Sequence, residues 1–144
     1  MPAFDRVRLR QSVLWDSSAI LALLDADDAA HARAVATARR IAAQRWPCFM
    51  TNYTEVEAHA LLLRKLGRGL AREWLLTGGL AVVRASAQHE ERAKEMIARH
   101  SDKDWSLCDA ISFAVIEALQ AQRAFSFDHH FRQYGRIEVL GLDG

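Results

Sequence analysis

The chain has 144 residues, of which 51% are hydrophobic and 26% are charged, so its length allows one domain of ordinary size with its own core. A net charge of +1, from 19 basic and 18 acidic residues, excludes nucleic-acid binding through bulk positive charge. Two cysteines, Cys48 and Cys108, are too few and too far apart to form a disulfide framework or a zinc site. No apolar run approaches the roughly 20 residues of a membrane helix. We therefore expect a cytoplasmic protein without a membrane anchor.

Short apolar segments alternate with helical patterns after a polar, arginine-bearing lead over residues 1–12, which we interpret as a tail or a lead-in to the first strand. Patterns typical of buried strands fall at residues 13–16, 48–51, 80–84, 124–127 and 137–140. Helical patterns fall at residues 19–24, 28–45, 52–66, 69–76, 88–100 and 106–122. This alternation predicts an α/β fold over residues 13–144, a single domain with three α/β/α layers around a mostly parallel sheet.

Four acidic residues are predicted to lie at one edge of this sheet. Asp16 ends one predicted strand and Asp128 directly follows another, while Glu57 and Asp109 lie on predicted helices. Each aspartate could have a purely local role, either as a helix N-cap or, for Asp109, in a capping box with Ser106. Several carboxylates converging on one edge would repel each other, however, and oxygen-only ligands suit Mg²⁺ or Mn²⁺. Their convergence therefore predicts a divalent-cation site.

Two glutamates of the helix predicted over residues 52–66 are expected to have different roles. Glu55 and Glu57 are about 200° apart around the helix axis, so they cannot face the same site. Asn52 and Glu55 have the spacing of a capping box, which predicts Asn52 as N-cap and a local role for Glu55. Glu57 has the apolar Leu61 as its i+4 neighbour, so we expect Glu57 to face the acidic site.

The acids lie in four motifs, at residues 15–19 (WDSSA), 51–57 (TNYTEVE), 105–113 (WSLCDAISF) and 124–128 (AFSFD). In order and spacing these motifs resemble those of the PIN domain family, and most of all the VapC-type toxins of prokaryotic toxin–antitoxin pairs. The resemblance runs from about residue 13 to residue 140. The chain departs from the family pattern at Cys108, where Thr or Ser is common.

This resemblance implies an endoribonuclease that depends on Mg²⁺ or Mn²⁺. By analogy Asp16, Asp109 and Asp128 hold the metal, directly or through water, and Glu57 completes the acidic ring. The expected reaction is in-line hydrolysis of an RNA phosphodiester that leaves 5′-phosphate and 3′-hydroxyl ends. Asp104 is a weaker candidate at the rim. A cognate antitoxin is the expected protein partner.

Other features leave alternatives open. The leucine-rich stretch over residues 61–76 could form a homodimer contact or a groove for an antitoxin helix, or simply pack in the core; we expect a homodimer. His129 and His130 could contact a metal or phosphate, but a plain turn after the strand is favoured. A non-catalytic PIN-like module that binds RNA or protein is the main alternative function. Another Mg²⁺ enzyme is disfavoured, because a dehalogenase-type phosphatase would have an aspartate in place of Ser18.

Overall fold

A computed structural model describes residues 8–142. The strands form one sheet in the order β3-β2-β1-β4-β5, and all four neighbouring pairs are parallel, which confirms the predicted sheet. The strand bounds are β1 Val13–Trp15, β2 Cys48–Thr51, β3 Ala81–Val83, β4 Arg123–Phe125 and β5 Glu138–Leu140. The helix bounds are α1 Ser17–Leu24, α2 His31–Gln44, α3 Asn52–Leu66, α4 Arg68–Thr77, α5 Ala87–Arg99, α6 Leu107–Leu119 and α7 His129–Tyr134.

Helices cover both faces of the sheet, as the sequence predicts. On one face the buried strand residues, such as Leu14 and Val139, pack with residues of α5, α6 and α7, including Phe113 and Phe131. On the other face, two clusters join the strands to α1 and α2, and to α1, α3 and α4. Since side chains alternate between the faces of a strand, three-residue strands suffice to anchor both helical layers.

The order of the strands defines where a ligand site is expected. The chain runs outward from β1 to β2 and β3, then crosses back to β4 on the other side of β1. The strand order therefore reverses between β1 and β4, and in open α/β sheets ligands bind beyond the carboxyl ends of the strands at such a switch point. Asp16 directly follows β1 at this position.

One predicted strand end was wrong. β4 ends at Phe125, so Asp128 does not directly follow the strand but begins α7 as its N-cap. Ser126 and Phe127 connect β4 to Asp128. The main-chain N–H of Ser126 still donates to the Leu140 carbonyl at 3.1 Å, and the chain leaves the sheet after this residue. The side chains of this short connection are thereby available to the site described below.

The predicted capping box at the start of α3 was also wrong. Thr51 is the N-cap, and its Oγ1 accepts a hydrogen bond from the Thr54 N–H at 3.1 Å. Asn52 instead uses its side-chain oxygen to accept from the Ala85 N–H at 2.8 Å, which ties α3 to the segment after β3. The threonine that ends β2 is buried at the right place to cap the helix, so the asparagine is free for a contact outside it.

The lead predicted over residues 1–12 lies partly outside the described residues. Residues 8–11 are helical, and the Arg10 carbonyl accepts from the Gln122 N–H at 3.2 Å. Within residues 8–142, no helix is both long enough and apolar enough to span a membrane.

Candidate active site

Asp16 lies at the centre of the carboxyl-terminal edge of the sheet. Its N–H donates to the Phe125 carbonyl at 3.0 Å, and it is the N-cap of α1. The side chain is buried, with 4% of the residue exposed. Its Oδ2 accepts hydrogen bonds from the hydroxyls of Ser18, at 2.6 Å, and Ser126, at 3.0 Å. The two serines, from opposite sides of the switch point, fix the orientation of this carboxylate.

The same serines also position Asp128. Ser18 Oγ accepts from the Phe127 N–H, and Ser126 Oγ accepts from the Asp128 N–H, each at 3.0 Å. Asp128 in turn caps α7, with its Oδ1 accepting from the His130 N–H at 2.9 Å. The connection from β4 to α7 is thus bound to the carboxylate that follows β1.

Asp109 reaches the site from the first turn of α6. It forms the predicted capping box, in which Asp109 N–H donates to Ser106 Oγ and Ser106 N–H donates to Asp109 Oδ2. His130 Nδ1 lies 2.9 Å from Asp109 Oδ2 and 3.3 Å from Asp128 Oδ1. The local capping role and the site position therefore coexist, and the plain turn favoured for the histidines was wrong for His130.

Glu57 approaches from α3. The buried Ser17 at the start of α1 donates its hydroxyl to Glu57 Oε1 at 2.5 Å. Glu55 lies on another side of α3, where it lines a small cavity with Trp74 and Leu75 of α4. The two glutamates thus face different surroundings. Glu57, which the sequence predicts to face the site, is the one that contacts α1.

The four carboxylates share one arrangement. Each has one oxygen that accepts hydrogen bonds from the protein, and the donors come from Ser17, Ser18, Ser106, Ser126 and His130. Among residues 8–142, no donor reaches the second oxygen of any of the four. Oriented oxygens without donors are ligands that suit hard cations such as Mg²⁺ or Mn²⁺, so each of these carboxylates could serve as a metal ligand. Within residues 8–142, the potential ligand atoms of Asp128, His129 and His130 also lie within 4.8 Å of one another, so a metal held by Asp128 would lie close to both histidines.

The electrostatics of the site also favour a cation. The pKa of Asp16 is raised from its ordinary 3.8 to about 6, mainly by burial and also by the Asp109 and Glu57 carboxylates, while the hydrogen bonds from the two serines lower it. Burial likewise raises the pKa of Asp109, as does the Asp128 carboxylate, while the hydrogen bond from His130 lowers it. Carboxylates raise one another's pKa when no nearby positive charge neutralises them, and a bound metal ion would supply that charge.

Cys108 lies half-buried beside the acids. Its Sγ is 3.9 Å from Thr54 Oγ1. Burial raises the pKa of this thiol strongly, and the Glu57 carboxylate raises it further. The thiol is therefore neutral near pH 7 in the metal-free protein.

The sequence analysis missed the residues that orient the acids. Ser17, Ser18, Ser126 and His130 each hold one or more of the carboxylates. The available signal was that each lies within two residues of an aspartate in the motifs. Asp104, the weaker candidate, is exposed and takes no part in these contacts within the described residues.

Comparison with known proteins identifies the family. The family model described as "PIN domain" matches residues 13–137, so the chain belongs to the PIN domain family. The chain is 37% identical over 131 residues to proteins named "23S rRNA-specific endonuclease VapC20" from two strains of Mycobacterium tuberculosis, CDC 1551 / Oshkosh and ATCC 25618 / H37Rv. The alignment covers 88% of this chain and 97% of that protein.

Solved structures agree in fold. A crystal structure of the M. tuberculosis VapC20, described as a "Sarcin-Ricin loop cleaving toxin", matches with a TM-score of 0.75 and 32% identity, over 88% of this chain and 98% of that chain. FitAcB from Neisseria gonorrhoeae matches at a TM-score of 0.61 and 16% identity, over 89% of this chain and 96% of that one. A toxin–antitoxin complex from Klebsiella pneumoniae matches at 0.58 and 16%, over 81% and 87%. The last two show likeness of fold alone.

Proposed function

We propose that this protein is a metal-dependent endoribonuclease and the toxin of a toxin–antitoxin pair. The observation that carries the proposal is the group of four carboxylates at the switch point, each oriented through one oxygen and open at the other. A fold needs no such arrangement for stability, because buried like charges destabilise it. Similarity to a named 23S rRNA endonuclease over nearly the whole chain supports the same conclusion.

In the proposed site, Asp16, Asp109 and Asp128 hold Mg²⁺ or Mn²⁺, directly or through water. The bound metal supplies an activated water nucleophile and neutralises charge on the phosphodiester. Ser18, Ser126 and His130 keep the aspartates in position. Glu57 is the exposed member of the group, so the incoming RNA can reach this residue.

For the substrate, we propose a structured RNA loop. VapC20 is described as cleaving the sarcin–ricin loop of 23S rRNA, and this chain is 37% identical to it. A hairpin containing that loop is therefore the first RNA to test. Since the net charge of this chain is only +1, recognition must depend on local contacts rather than on bulk charge.

The test is cleavage of a synthetic sarcin–ricin hairpin by purified protein freed of any antitoxin. We expect cleavage with Mg²⁺ or Mn²⁺, none with EDTA, and products with 5′-phosphate and 3′-hydroxyl ends by mass spectrometry. A hairpin of the same stem with a different loop is the control for substrate choice. Cleavage that persists in EDTA would contradict the metal dependence, and intact hairpin with either metal would contradict this substrate.

We further propose that an antitoxin segment binds beside the active site. A cavity of about 500 Å³ lies between α1 and α4, and its lining is mainly apolar. Trp15, which directly precedes Asp16, forms part of its wall together with Leu24, Leu70 and Trp74. Trp74→Glu should weaken co-purification with the protein encoded next to this one, whereas Glu91→Gln on the exposed surface of α5 should not. Equal co-purification of both variants would contradict this location.

The third part of the proposal is a homodimer. Leu63 of α3 and Leu75 and Leu76 of α4 remain exposed, with Leu76 at 64%, although other leucines of the same stretch pack inward. Exposed apolar residues on adjacent helices favour a protein contact. Light scattering at tens of micromolar should give a dimer that Leu76→Lys weakens. A monomeric wild type would contradict the dimer but leave the proposed reaction intact.

A further inference from the structure

We propose that His130 is a positioning residue of the active site, which orients Asp109 and Asp128 for the metal and does not itself bind the metal or the RNA. This inference rests on the proposed function, since it assigns to His130 a role in that same site. The sequence favours a plain turn for this histidine, whereas in the structure it contacts two carboxylates of the site.

The imidazole lies between two carboxylates from different helices. Its Nδ1 is 2.9 Å from Asp109 Oδ2 and 3.3 Å from Asp128 Oδ1, and its side chain is 18% exposed. Because ionised carboxylate oxygens only accept hydrogen bonds, Nδ1 carries the hydrogen and donates it to Asp109. The main-chain N–H of the same residue donates to Asp128 Oδ1 at 2.9 Å. His130 thus links the starts of α6 and α7.

These contacts use one carboxylate oxygen of each aspartate and leave its second oxygen available to a metal ion. Asp109 Oδ2 accepts from His130 Nδ1 and from the Ser106 N–H, so two donors fix the plane of the carboxylate. Asp128 is fixed through its Oδ1. A donor that holds one oxygen of a ligating carboxylate orients the other toward the metal, and loss of such a partner typically costs about 10- to 100-fold in metal affinity.

The position of His130 is set by the core rather than by the site. The next residue, Phe131, is fully buried and packs edge-on against Phe113 of α6, with ring centroids 5.0 Å apart. This contact fixes α7 against α6, so the imidazole stays in place without relying on the carboxylates. His129 precedes His130 on the same helix, but its side chain is 71% exposed and its Nδ1 is 3.7 Å from Asp128 Oδ1. Its ligand atom lies within 4.8 Å of those of Asp128 and His130, so comparing the two histidines separates closeness to the site from the hydrogen bond to Asp109.

The experiment compares Mn²⁺ binding by metal-free wild type, His130→Asn, His130→Leu and His129→Leu, measured from the electron paramagnetic resonance signal of free Mn²⁺. In asparagine the amide nitrogen occupies the place of Nδ1, one bond from Cγ, whereas leucine keeps a similar shape without a donor. We expect His130→Leu to weaken Mn²⁺ binding about tenfold or more, and His130→Asn and His129→Leu to stay within about threefold of wild type. On the RNA hairpin, His130→Leu should lower kcat and leave KM nearly unchanged.

Three outcomes would overturn the proposal. Two of them are wild-type Mn²⁺ affinity and tighter Mn²⁺ binding in His130→Leu. The third is a lack of rescue by His130→Asn, which would indicate that His130 is a direct ligand or a merely structural residue. A wild type that binds Mn²⁺ and cleaves RNA while His130→Leu matches it would refute only the role of His130. A wild type that binds no Mn²⁺ would refute the metal dependence, and the role of His130 with it.

A measurement on the wild type covers the case in which His130→Leu does not fold. In histidine-selective ¹⁵N NMR, with the His129 signals assigned through His129→Leu, Mg²⁺ should shift the His130 Nδ1 resonance and leave that of His129 nearly unchanged. An unchanged His130 resonance at saturating Mg²⁺ would overturn the proposal.

Discussion

The two edges of the sheet carry charged residues in opposite arrangements. At the amino-terminal edge, Arg123 and Glu138 begin β4 and β5, pair in register, and lie 3.5 Å apart between Nε and Oε2. Arg40 of α2 reaches the same glutamate at 3.4 Å, and the Arg123 guanidinium lies 3.8 Å from the ring centroid of Trp46. Each of these charges has an opposite charge or an aromatic ring beside it.

At the carboxyl-terminal edge, carboxylates lie beside carboxylates. Burial, with smaller contributions from the Asp109 and Glu57 carboxylates, raises the pKa of Asp16 to about 6. The contacts of these acids are with hydroxyls, main-chain N–H groups and one imidazole. Paired surface charges stabilise a fold slightly and require no further explanation. Grouped like charges oppose folding, so their presence points to a ligand that neutralises them.

The largest expected effect comes from removing one carboxylate charge at the acidic edge. Asp109→Asn should lower the cleavage rate at saturating Mg²⁺ by at least about a hundredfold, because it removes the charge of a proposed metal ligand while keeping the capping geometry. Initial rates on the RNA hairpin measure this loss. Glu138→Gln makes the same change of charge at the other edge and should keep the wild-type rate. Equal rates for wild type and Asp109→Asn would contradict the site.

The second prediction is that Asp16→Asn stabilises the metal-free protein relative to wild type, by an amount that grows as the pH rises. Since the pKa of Asp16 is raised to about 6 from 3.8, folding favours the protonated carboxyl. The contribution of this carboxyl to the stability of the wild type is therefore fully present below the unfolded pKa and is lost as the pH rises through the folded pKa. At about 1.4 kcal/mol for each pKa unit, the loss is of the order of 3 kcal/mol.

Asp16→Asn does not undergo this titration, so its advantage over wild type should grow between about pH 4 and pH 7.5 by up to that amount. Urea unfolding in EDTA at both pH values measures the difference in the free energy of unfolding. A difference that stays constant with pH would show that burial does not raise the pKa of Asp16 as described.

A third prediction separates the two glutamates of α3. Glu57→Gln should lower cleavage about a hundredfold with little change in stability, since its carboxylate contacts Ser17 beside Asp16. Glu55→Gln should keep near-normal cleavage and cost at most about 1 kcal/mol, the scale of an acid in the first turn of a helix. Rates and melting temperatures of the two purified variants test this, and the reverse order of rates would exclude Glu57 from the reaction.

The smallest effect is expected at the amino-terminal edge. Glu138→Gln removes the shared partner of Arg40 and Arg123, whose contacts with it are only partly buried. Exposed pairs of this kind contribute about 0–1 kcal/mol, and salt screens them. The free energy of unfolding should therefore fall by no more than about 1 kcal/mol at low salt, and by less at high salt. A larger loss would mean that both edges contain charges on which the fold depends.

Much of the fold could be predicted from local sequence patterns. Apolar runs between helical patterns predicted each strand of the parallel sheet and both helical layers, since strand and helix periods are local properties. The motifs around Asp16, Asp109 and Asp128, together with Glu57, also predicted which acids share one edge, because the carboxyl ends of parallel strands meet there. Their roles in catalysis stay predictions until variants are measured.

Which group orients each acid depends on the tertiary structure and not on local sequence. Ser17 contacts Glu57 across 40 positions of sequence, and Ser126 contacts Asp16 across 110. His130 reaches Asp109 because Phe131 fixes α7 against α6, and Asn52 leaves its predicted cap for the Ala85 N–H. Hydrogen bonds between distant segments depend on how the helices pack, and no local period or capping rule carries that information.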